Sequence, residues 1–468
     1  MVACYDGPAG TAEIGSCKSG LRACSAEGPC LGQITPQPDL CTTLADDDCN
    51  GAAKPCLDVP AWGETIGEAP SGSMLALEVD GGGNVIVLLA IHAVDPDADS
   101  PLRTVLVKLD PFGKTIFSKD IPGNGPLARA ALAPDGEIIV VGQAKGDLFV
   151  DRFDGAGNLV IARTFPHVSG SPGAVATDAS GNIFIAGRTF APAYFGAEPL
   201  APPGSFSGLF TVKLSGDGTF LWGRWGLVEP DDPALAEVTG LASDGGGNVI
   251  VAGHFTAALD LGSGMLGSAG SEDIFVAKLD AAGDVLFARR FGDAESQAQP
   301  RVAVDAADDV LLTGVYRGSL DLGGGALTAS GPLGHGFLAK LDASGNHLFS
   351  RSFAAGGTES RCAVTAGPGG EILVAGRFTG TADFGGAQLK SSGDFDADIY
   401  VAAFGPTGDP HWAKSFGGEE DQAARFVRSD SAGVPVIGGE LTGSLDLGQG
   451  SALFTEAEAV FVARLKLP

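Results

Sequence analysis

The stretch Trp62-Gly63-Glu64-Thr65-Ile66-Gly67 decides how this chain folds, because it reads as a strand whose repeat partners all lie far downstream. Its pattern is a large apolar residue, a small one, a polar or charged one, any residue, then a second large apolar one. Segments beginning at Phe117, Ile161, Trp222, Phe287, Phe349 and Trp412 share it. Those at Trp222, Phe287, Phe349 and Trp412 continue with a basic residue and then an aromatic, as in Trp222-Gly223-Arg224-Trp225 and Trp412-Ala413-Lys414-Ser415-Phe416. Each of the six closes a repeat. Trp62 precedes every repeat, whereas the last repeat runs out at Phe461-Val462-Ala463-Arg464-Leu465-Lys466-Leu467-Pro468 with no such segment after it. A ring that borrows its final strand from the opposite end accounts for both facts.

Working outward, a Gly/Asp-rich turn enters a β-branched strand seven times: Gly83-Asn84-Val85, Gly136-Glu137-Ile138, Gly181-Asn182-Ile183, Gly247-Asn248-Val249, Asp308-Asp309-Val310, Gly370-Glu371-Ile372 and Gly433-Val434-Pro435. The six intervals between Asn84 and Val434 average about 58 residues, enough for four short strands with their turns. The next strand in each unit is equally plain, from Val105-Leu106-Val107-Lys108-Leu109 to Val460-Phe461-Val462-Ala463-Arg464. A Gly-bearing turn such as Asp280-Ala281-Ala282-Gly283-Asp284 then folds the chain back into the aromatic strand, the signature of a hairpin. Both faces of these strands are apolar or small, so each sheet must stack on neighbours at either side. Seven four-stranded antiparallel sheets set radially bury every face, and closure protects the terminal edges.

The expected fold is therefore all-β, a seven-bladed β-propeller over residues 59–468 closed by an N-terminal strand and preceded by a small disulfide-rich module over residues 1–58. On the strands just quoted, and on Trp225-Gly226, Phe291-Gly292 and Phe416-Gly417-Gly418, the larger part resembles the bacterial seven-bladed β-propeller repeat family. The second blade departs from that pattern by being short. A further recurring piece, Leu259-Asp260-Leu261-Gly262, Leu320-Asp321-Leu322-Gly323, Ala382-Asp383-Phe384-Gly385 and Leu445-Asp446-Leu447-Gly448, reads as a turn with an anchoring apolar residue.

Composition narrows the function classes. With 57 Asp plus Glu against 29 Lys plus Arg, the formal net charge is −28, which repels a phosphate backbone and sets nucleic acid aside as a partner. Hydrophobic residues at 44% supply ample core. No run of 18 apolar residues exists, so no helical membrane span is expected, and the given start carries no leader pattern. A monomer is expected.

Seven of the eight cysteines, Cys4, Cys17, Cys24, Cys30, Cys41, Cys49 and Cys56, crowd the first 56 residues, and Cys362 stands alone. That density reads as a disulfide framework made in an oxidising compartment, hence a secreted or cell-surface protein. The odd count leaves one thiol to a partner upstream of Met1 or to Cys362, the latter reading better as a small apolar residue at a strand start. Cys4-Tyr5-Asp6-Gly7-Pro8-Ala9-Gly10-Thr11, Gly15-Ser16-Cys17-Lys18-Ser19-Gly20 and Asp46-Asp47-Asp48-Cys49-Asn50-Gly51 resemble a Cys/Asp-rich module of secreted bacterial proteins related to the MopE type of copper-binding surface protein. Asp46, Asp47, Asp48 and Asn50 offer hard oxygen ligands in one turn, which suits calcium; the other reading is a solvated acidic turn. Copper, which the resemblance implies, fits less well, because residues 1–58 hold no His and no Met after the first residue.

No Gly-x-Ser-x-Gly elbow, His-Glu-x-x-His or phosphate loop occurs, and His92, His167, His254, His335, His347 and His411 follow no metal-ligand spacing. Asp95-Pro96-Asp97-Ala98-Asp99 has calcium-like carboxylate spacing without the glycine and distal Glu of an EF-hand. Asp231, Asp232, Glu295, Glu359, Glu419, Glu420 and Asp421 put acids in the connections, as a solubilising surface or as an anionic rim for cations or a basic partner. The leading expectation is a non-catalytic binding or scaffold protein whose propeller rim takes a protein or glycan. The alternative is an extracellular polysaccharide lyase or glycosidase with carboxylates at the axis. A third reading is a structural spacer in a surface layer. Converging Asp, Glu, Arg and Tyr at the axis would favour the enzyme; small residues there would favour binding.

Overall fold

The computed structural model describes residues 61–66, 72–91, 103–121, 127–168, 170–190, 192–201, 207–228, 236–330, 334–353, 362–386, 388–393, 396–448 and 452–466, with residues 2–4, 12, 18–22, 30 and 33 of the N-terminal part. The chain divides into two compact units, residues 1–60 and 61–468. In the first, Val2–Cys4 pairs antiparallel with Gly20–Arg22, and Cys4 is disulfide-bonded to Cys30 with Cα atoms 5.8 Å apart. Cys17, Cys24, Cys41, Cys49 and Cys56 lie outside the described residues, as do Asp46, Asp47, Asp48 and Asn50.

In the second unit seven antiparallel sheets follow one another, blades I to VII, six of them four-stranded and blade III extended to six strands by a short hairpin. Their innermost strands are Gly72–Val79, Arg129–Leu132, Gly170–Thr177, Ala236–Ser243, Gln297–Val304, Ala363–Ala366 and Gln422–Ser429. Each packs on the next, and Gln422–Ser429 packs back on Gly72–Val79, so the ring closes. Seven apolar clusters fill the spaces between and within neighbouring blades. Among the described residues regular structure is β-strand apart from isolated turns, and no helix there is long and apolar enough to cross a membrane.

Closure takes the form expected. Trp62–Ile66 is the outer strand of blade VII, in register Trp62↔Arg464, Glu64↔Val462 and Ile66↔Val460. The indole of Trp62 also crosses to blade I, where Nε1 donates to the Pro111 carbonyl at 2.8 Å. Beneath the ring is Gly113 at φ +87, in the turn between the two outer strands of blade I, where an added Cβ would lie 2.8 Å from Trp62 Cε3. The same stack recurs with Phe117 on Gly157, Trp222 on Gly283, Phe287 on Gly345 and Phe349 on Gly408. In these five outer strands the aromatic thus packs on a glycine that has both the left-handed backbone and the absent side chain the contact requires, whereas in blade II, with Ile161 at that position, it is Arg163 that lies against the matching Gly218. This is the physical content of the repeated aromatic segment.

A second repeated device sits at the inner turns. In five of the seven blades an Asp opens this turn and accepts backbone N–H bonds from residues two and four places on, as Asp80 does from Gly82 and Asn84, both at 2.9 Å; blades II and VI have Ala133 and Gly367 there instead. The same carboxylate receives a lysine from the third strand: Lys108 to Asp80 at 3.0 Å, Lys213 to Asp178 at 3.1 Å, Lys278 to Asp244 at 2.8 Å and Lys340 to Asp305 at 2.7 Å. Arg464 and Asp430 are the blade VII version at 2.8 Å. Lys108 and Lys278 reach onward to carbonyls of the following blade, Gly155 and Ala343, each at 3.1 Å. Blade VI has Gly367 and Ala403 at the two positions, so both partners are absent together.

The Leu-Asp-Leu-Gly pieces form short hairpins wedged between outer strands of adjacent blades. Ala258–Asp260 pairs with the outer strand of blade III through Leu227↔Asp260 and Val228↔Leu259, covering part of its exposed edge. Leu259, Leu320, Ala382 and Leu445 are fully buried, and Asp260 Oδ1 takes the Gly262 amide at 2.8 Å. The anchored turn read from sequence is what these residues make.

One position breaks the apolar rule between blades. Asp151 lies between Phe149 and Phe153 on the face of blade II that packs on blade I, and the matching residues elsewhere are Val107, Val212, Ala277, Ala339, Ala402 and Ala463. Burial pushes its carboxyl up to about 6. A raised acid binds its proton more tightly folded than unfolded, so its cost is absent below pH 4 and grows as pH rises through 6. Asp151→Asn is expected to stabilise the protein at pH 8 by at most about 3 kcal/mol, from roughly two units at 1.36 kcal/mol each. Guanidinium melts at pH 4.5 and pH 8 would show the gain shrinking at the lower value; a gain independent of pH would refute the assignment.

Candidate functional site

The axis of the ring holds a cavity of about 380 Å³, within the roughly 300–1,000 Å³ usual for small-molecule sites. All seven innermost strands contribute to it. Backbone irregularity shapes the wall: inner strands carry a bulge between Met74 and Ala76, Pro172 and Ala174, Val238 and Gly240, Ala298 and Arg301, and Ala424 and Phe426. A bulge places an extra residue out of the ladder and re-aims its side chain. At these sites Leu75, Gly173, Thr239 and Arg425 face the cavity.

Small residues line much of the wall, including Ser73, Gly173, Ala174, Gly240 and Ala363. Against them stand Arg129 of blade II, Arg301 of blade V, and Arg425 and Arg428 of blade VII. Innermost strands have one edge without a ladder partner, so their carbonyls need other donors. The arginines serve that purpose. Arg129 Nε donates to the Gly173 carbonyl at 2.8 Å and Nη1 to the Ala128 carbonyl at 2.9 Å. Arg301 Nη1 donates to the Thr239 carbonyl of the preceding blade.

Two carboxylates accompany them. Glu78 accepts both Nε and Nη2 of Arg428, at 2.8 and 2.7 Å, a forked pair that joins blades I and VII. Burial works against the Arg428 charge, but Glu78 more than offsets it and holds the guanidinium firmly protonated. Glu440 accepts Arg425 Nε and, at 3.0 Å, the backbone amide of Met74. Burial raises its carboxyl above the ordinary range despite the Arg425 charge. Both acids are held in place by arginine and backbone, and the cavity lining carries more positive than negative charge in a chain of net charge −28.

His254 occupies in blade IV the strand position that Glu440 holds in blade VII. Its Nε2 is 3.7 Å from Glu272 Oε1, and burial holds its pKa below the usual imidazole value in spite of Glu272 and Glu237. Its Nδ1 is buried without a hydrogen-bond partner among the described residues.

The acids expected on the rim fall into two matching connections, Gly292–Gln297 and Gly417–Gln422. In each a fully buried glutamine ties the loop: Gln297 Nε2 donates to Asp293 Oδ1 at 2.8 Å, and Gln422 Nε2 to the Glu419 carbonyl at 2.8 Å. Glu295, Glu419, Glu420 and Asp421 are exposed. Asp95, Asp97, Asp99, Asp231, Asp232 and Glu359 lie outside the described residues. No group of three metal-ligating side chains occurs among the described residues. Cys362 is a buried thiol receiving the Tyr400 hydroxyl at 3.0 Å, packed as the small side chain read for it.

Sequence reading missed the axial arginines. The signal was there, since Arg129, Arg301, Arg425 and Arg428 all precede the Asp/Gly turns by two to five residues, but the inner strands are the least regular of the four and their bulges hide the period.

No protein-family model and no curated protein matches the chain. Solved structures match the chain at low identity. The polysaccharide lyase Uly1 is 12% identical with a TM-score of 0.47, over 86% of this chain and 92% of its own. The WD40 domain of Neurospora crassa Pan2 is 9% identical with a TM-score of 0.36, over 85% and 90%. A protein of unknown function from Dyadobacter fermentans is 13% identical with a TM-score of 0.40, over 75% and 96%.

Proposed function

We propose that this chain is a secreted or cell-surface binding protein of the bacterial seven-bladed repeat type, which holds a protein or glycan at the propeller face carrying the longer connections. The observation that carries the reading is the state of the axial carboxylates: Glu78 and Glu440 are both clamped by arginine forks or backbone amides, an arrangement that fixes structure and leaves neither poised as an acid and base flanking a glycosidic bond. The matched connections around Gln297 and Gln422 give that face ordered, hydrogen-bonding loops. The disulfide between Cys4 and Cys30 accords with an oxidising compartment. A calcium site at Asp46, Asp47, Asp48 and Asn50 remains part of the proposal on sequence grounds.

Incubation with an array of extracellular polysaccharides, followed by chain-length analysis of whatever is retained, tests the reading. Saturable retention with unchanged chain length supports it. Shortened chains or unsaturated ends would replace it with the lyase or glycosidase reading.

A further inference from the structure

We infer that the seam between blades VI and VII is a docking slot for an acidic, glycine-bearing turn of a partner protein, received by Trp412, Lys414 and Lys466. This is independent of the face binding proposed above and stands whether or not that reading does. The other seams of the ring show what such a slot takes. In blades I to VI the residue two places after the start of each repeated outer-strand segment is basic, and in blades I to V the turn of the next blade answers it. Lys119 donates to the Gly157 carbonyl, Arg163 lies against Gly218 beside Asp217, and Arg224 donates to the Gly283 carbonyl and to Asp284. Arg289 Nη2 donates to Asn346 Oδ1 at 3.1 Å, and Arg351 Nη2 to Asp409 Oδ1 at 3.4 Å. The indoles do likewise: Trp62 Nε1 donates to the Pro111 carbonyl at 2.8 Å and Trp222 Nε1 to the Ala281 carbonyl at 2.9 Å.

Blade VI has the same side chains and no turn to meet them. Blade VII takes its third strand, Ala452–Arg464, and its outer strand, Trp62–Ile66, from opposite ends of the repeats, so no turn joins the two. Trp412 Nε1, Lys414 Nζ and Lys466 Nζ make no hydrogen bond or ion pair with any described residue. At this seam lies a cavity of about 560 Å³, lined by Lys414 and Phe416 of blade VI and by Asp446, Leu447 and Lys466 of blade VII. Trp412, Lys414 and Phe416 alternate along one strand, so they share the face that looks onto blade VII. Phe416 and Leu447 are buried and give the slot an apolar floor. Its one acid among the described residues, Asp446, accepts the Gly448 amide at 2.7 Å and stands against two lysines. A positive slot on a chain of net charge −28 favours an acidic partner. An acidic turn supplies what is missing: a carboxylate for the lysines, a carbonyl for the indole N–H and a glycine on which the ring packs without meeting a Cβ. The same three elements meet between blades III and IV, where Asp284, the Ala281 carbonyl and Gly283 receive Arg224 and Trp222.

The test uses a fluorescently labelled cyclic peptide that carries this chain's own turn Asp280-Ala281-Ala282-Gly283-Asp284, titrated with the whole protein at low salt. A saturable rise in anisotropy is expected for the wild type. Lys414→Glu should weaken it by about tenfold, because reversing the charge removes an attraction and adds a repulsion. Changing the peptide leaves the protein untouched, and two such changes are informative: Gly283→Ala in the peptide should weaken binding by about tenfold through a clash with Trp412, and Asp284→Asn should reduce its salt dependence. Absence of saturable binding by the wild type, binding that Lys414→Glu leaves unchanged, or equal binding of the Gly283→Ala peptide would overturn the slot. Circular dichroism guards against a folding artefact, and Lys466→Glu provides a second weakened variant if Lys414→Glu does not fold.

Discussion

Trp62→Ala is expected to destabilise the propeller by about 3 kcal/mol, the low end for a large aromatic because the ring is only partly covered. The loss has three parts. The indole leaves Gly113 uncovered, the Pro111 carbonyl loses its donor, and the strand 62–66 loses the side chain that fixes it against both blade VII and blade I. Because that strand joins the two ends of the ring, the effect should spread. Hydrogen exchange should quicken in Val460–Arg464 and in Thr115–Ile121 together, whereas Trp222→Ala, which removes the same stack between blades III and IV, should loosen only its neighbours. Unchanged melting in Trp62→Ala would argue that the closure contributes nothing to stability.

Asp244→Ala should cost still more, about 3–5 kcal/mol, because it strands Lys278 as an unpaired charge with its side chain only 3% exposed. It also removes the acceptor for the Gly246 and Asn248 amides, each at 2.9 Å. Blade VI supplies the control. With Gly367 and Ala403 at these positions the blade forms the same turn without either charge. Asp244→Gly combined with Lys278→Ala should therefore recover much of the loss and cost under about 2 kcal/mol, since exchanging a buried pair for small residues is often nearly neutral. A double variant as unstable as Asp244→Ala would sink this account. The pH dependence follows. Burial tends to raise the Asp244 carboxyl, but Lys278, Asn248 and the turn amides lower it further, and the net shift is downward. A depressed acid contributes stability that is present above its unfolded value near 4 and is lost as pH falls below it. Asp80 and Asp178 shift the same way for the same reasons, so the wild type should lose stability steeply on acidification below pH 4, and the double variant less so.

These two expectations differ in how far the sequence alone could reach them. Trp62 was legible as a closing strand because strand pairing leaves a count: six aromatic strands follow third strands, and one third strand has none after it. The Lys278–Asp244 pair was half legible. The lysine in Phe275-Val276-Ala277-Lys278-Leu279 and the Asp of the turn are both visible as residues, but their meeting depends on register across two strands.

By itself the sequence determined the number of blades, the order of strands, the turns and the closure, since each follows from local periodicity, turn chemistry and the need to bury two-sided sheets. Only the tertiary structure decided what the axis carries. Arg129, Arg301, Arg425 and Arg428 lie as far as 299 positions apart, and nothing local distinguishes them from other strand arginines. Inner-strand bulges shift the side-chain alternation by one residue, so whether a given residue faces the cavity or the next blade depends on where each bulge falls. Convergence of charge is a property of seven strands meeting at one line, and it exists only once the ring has closed.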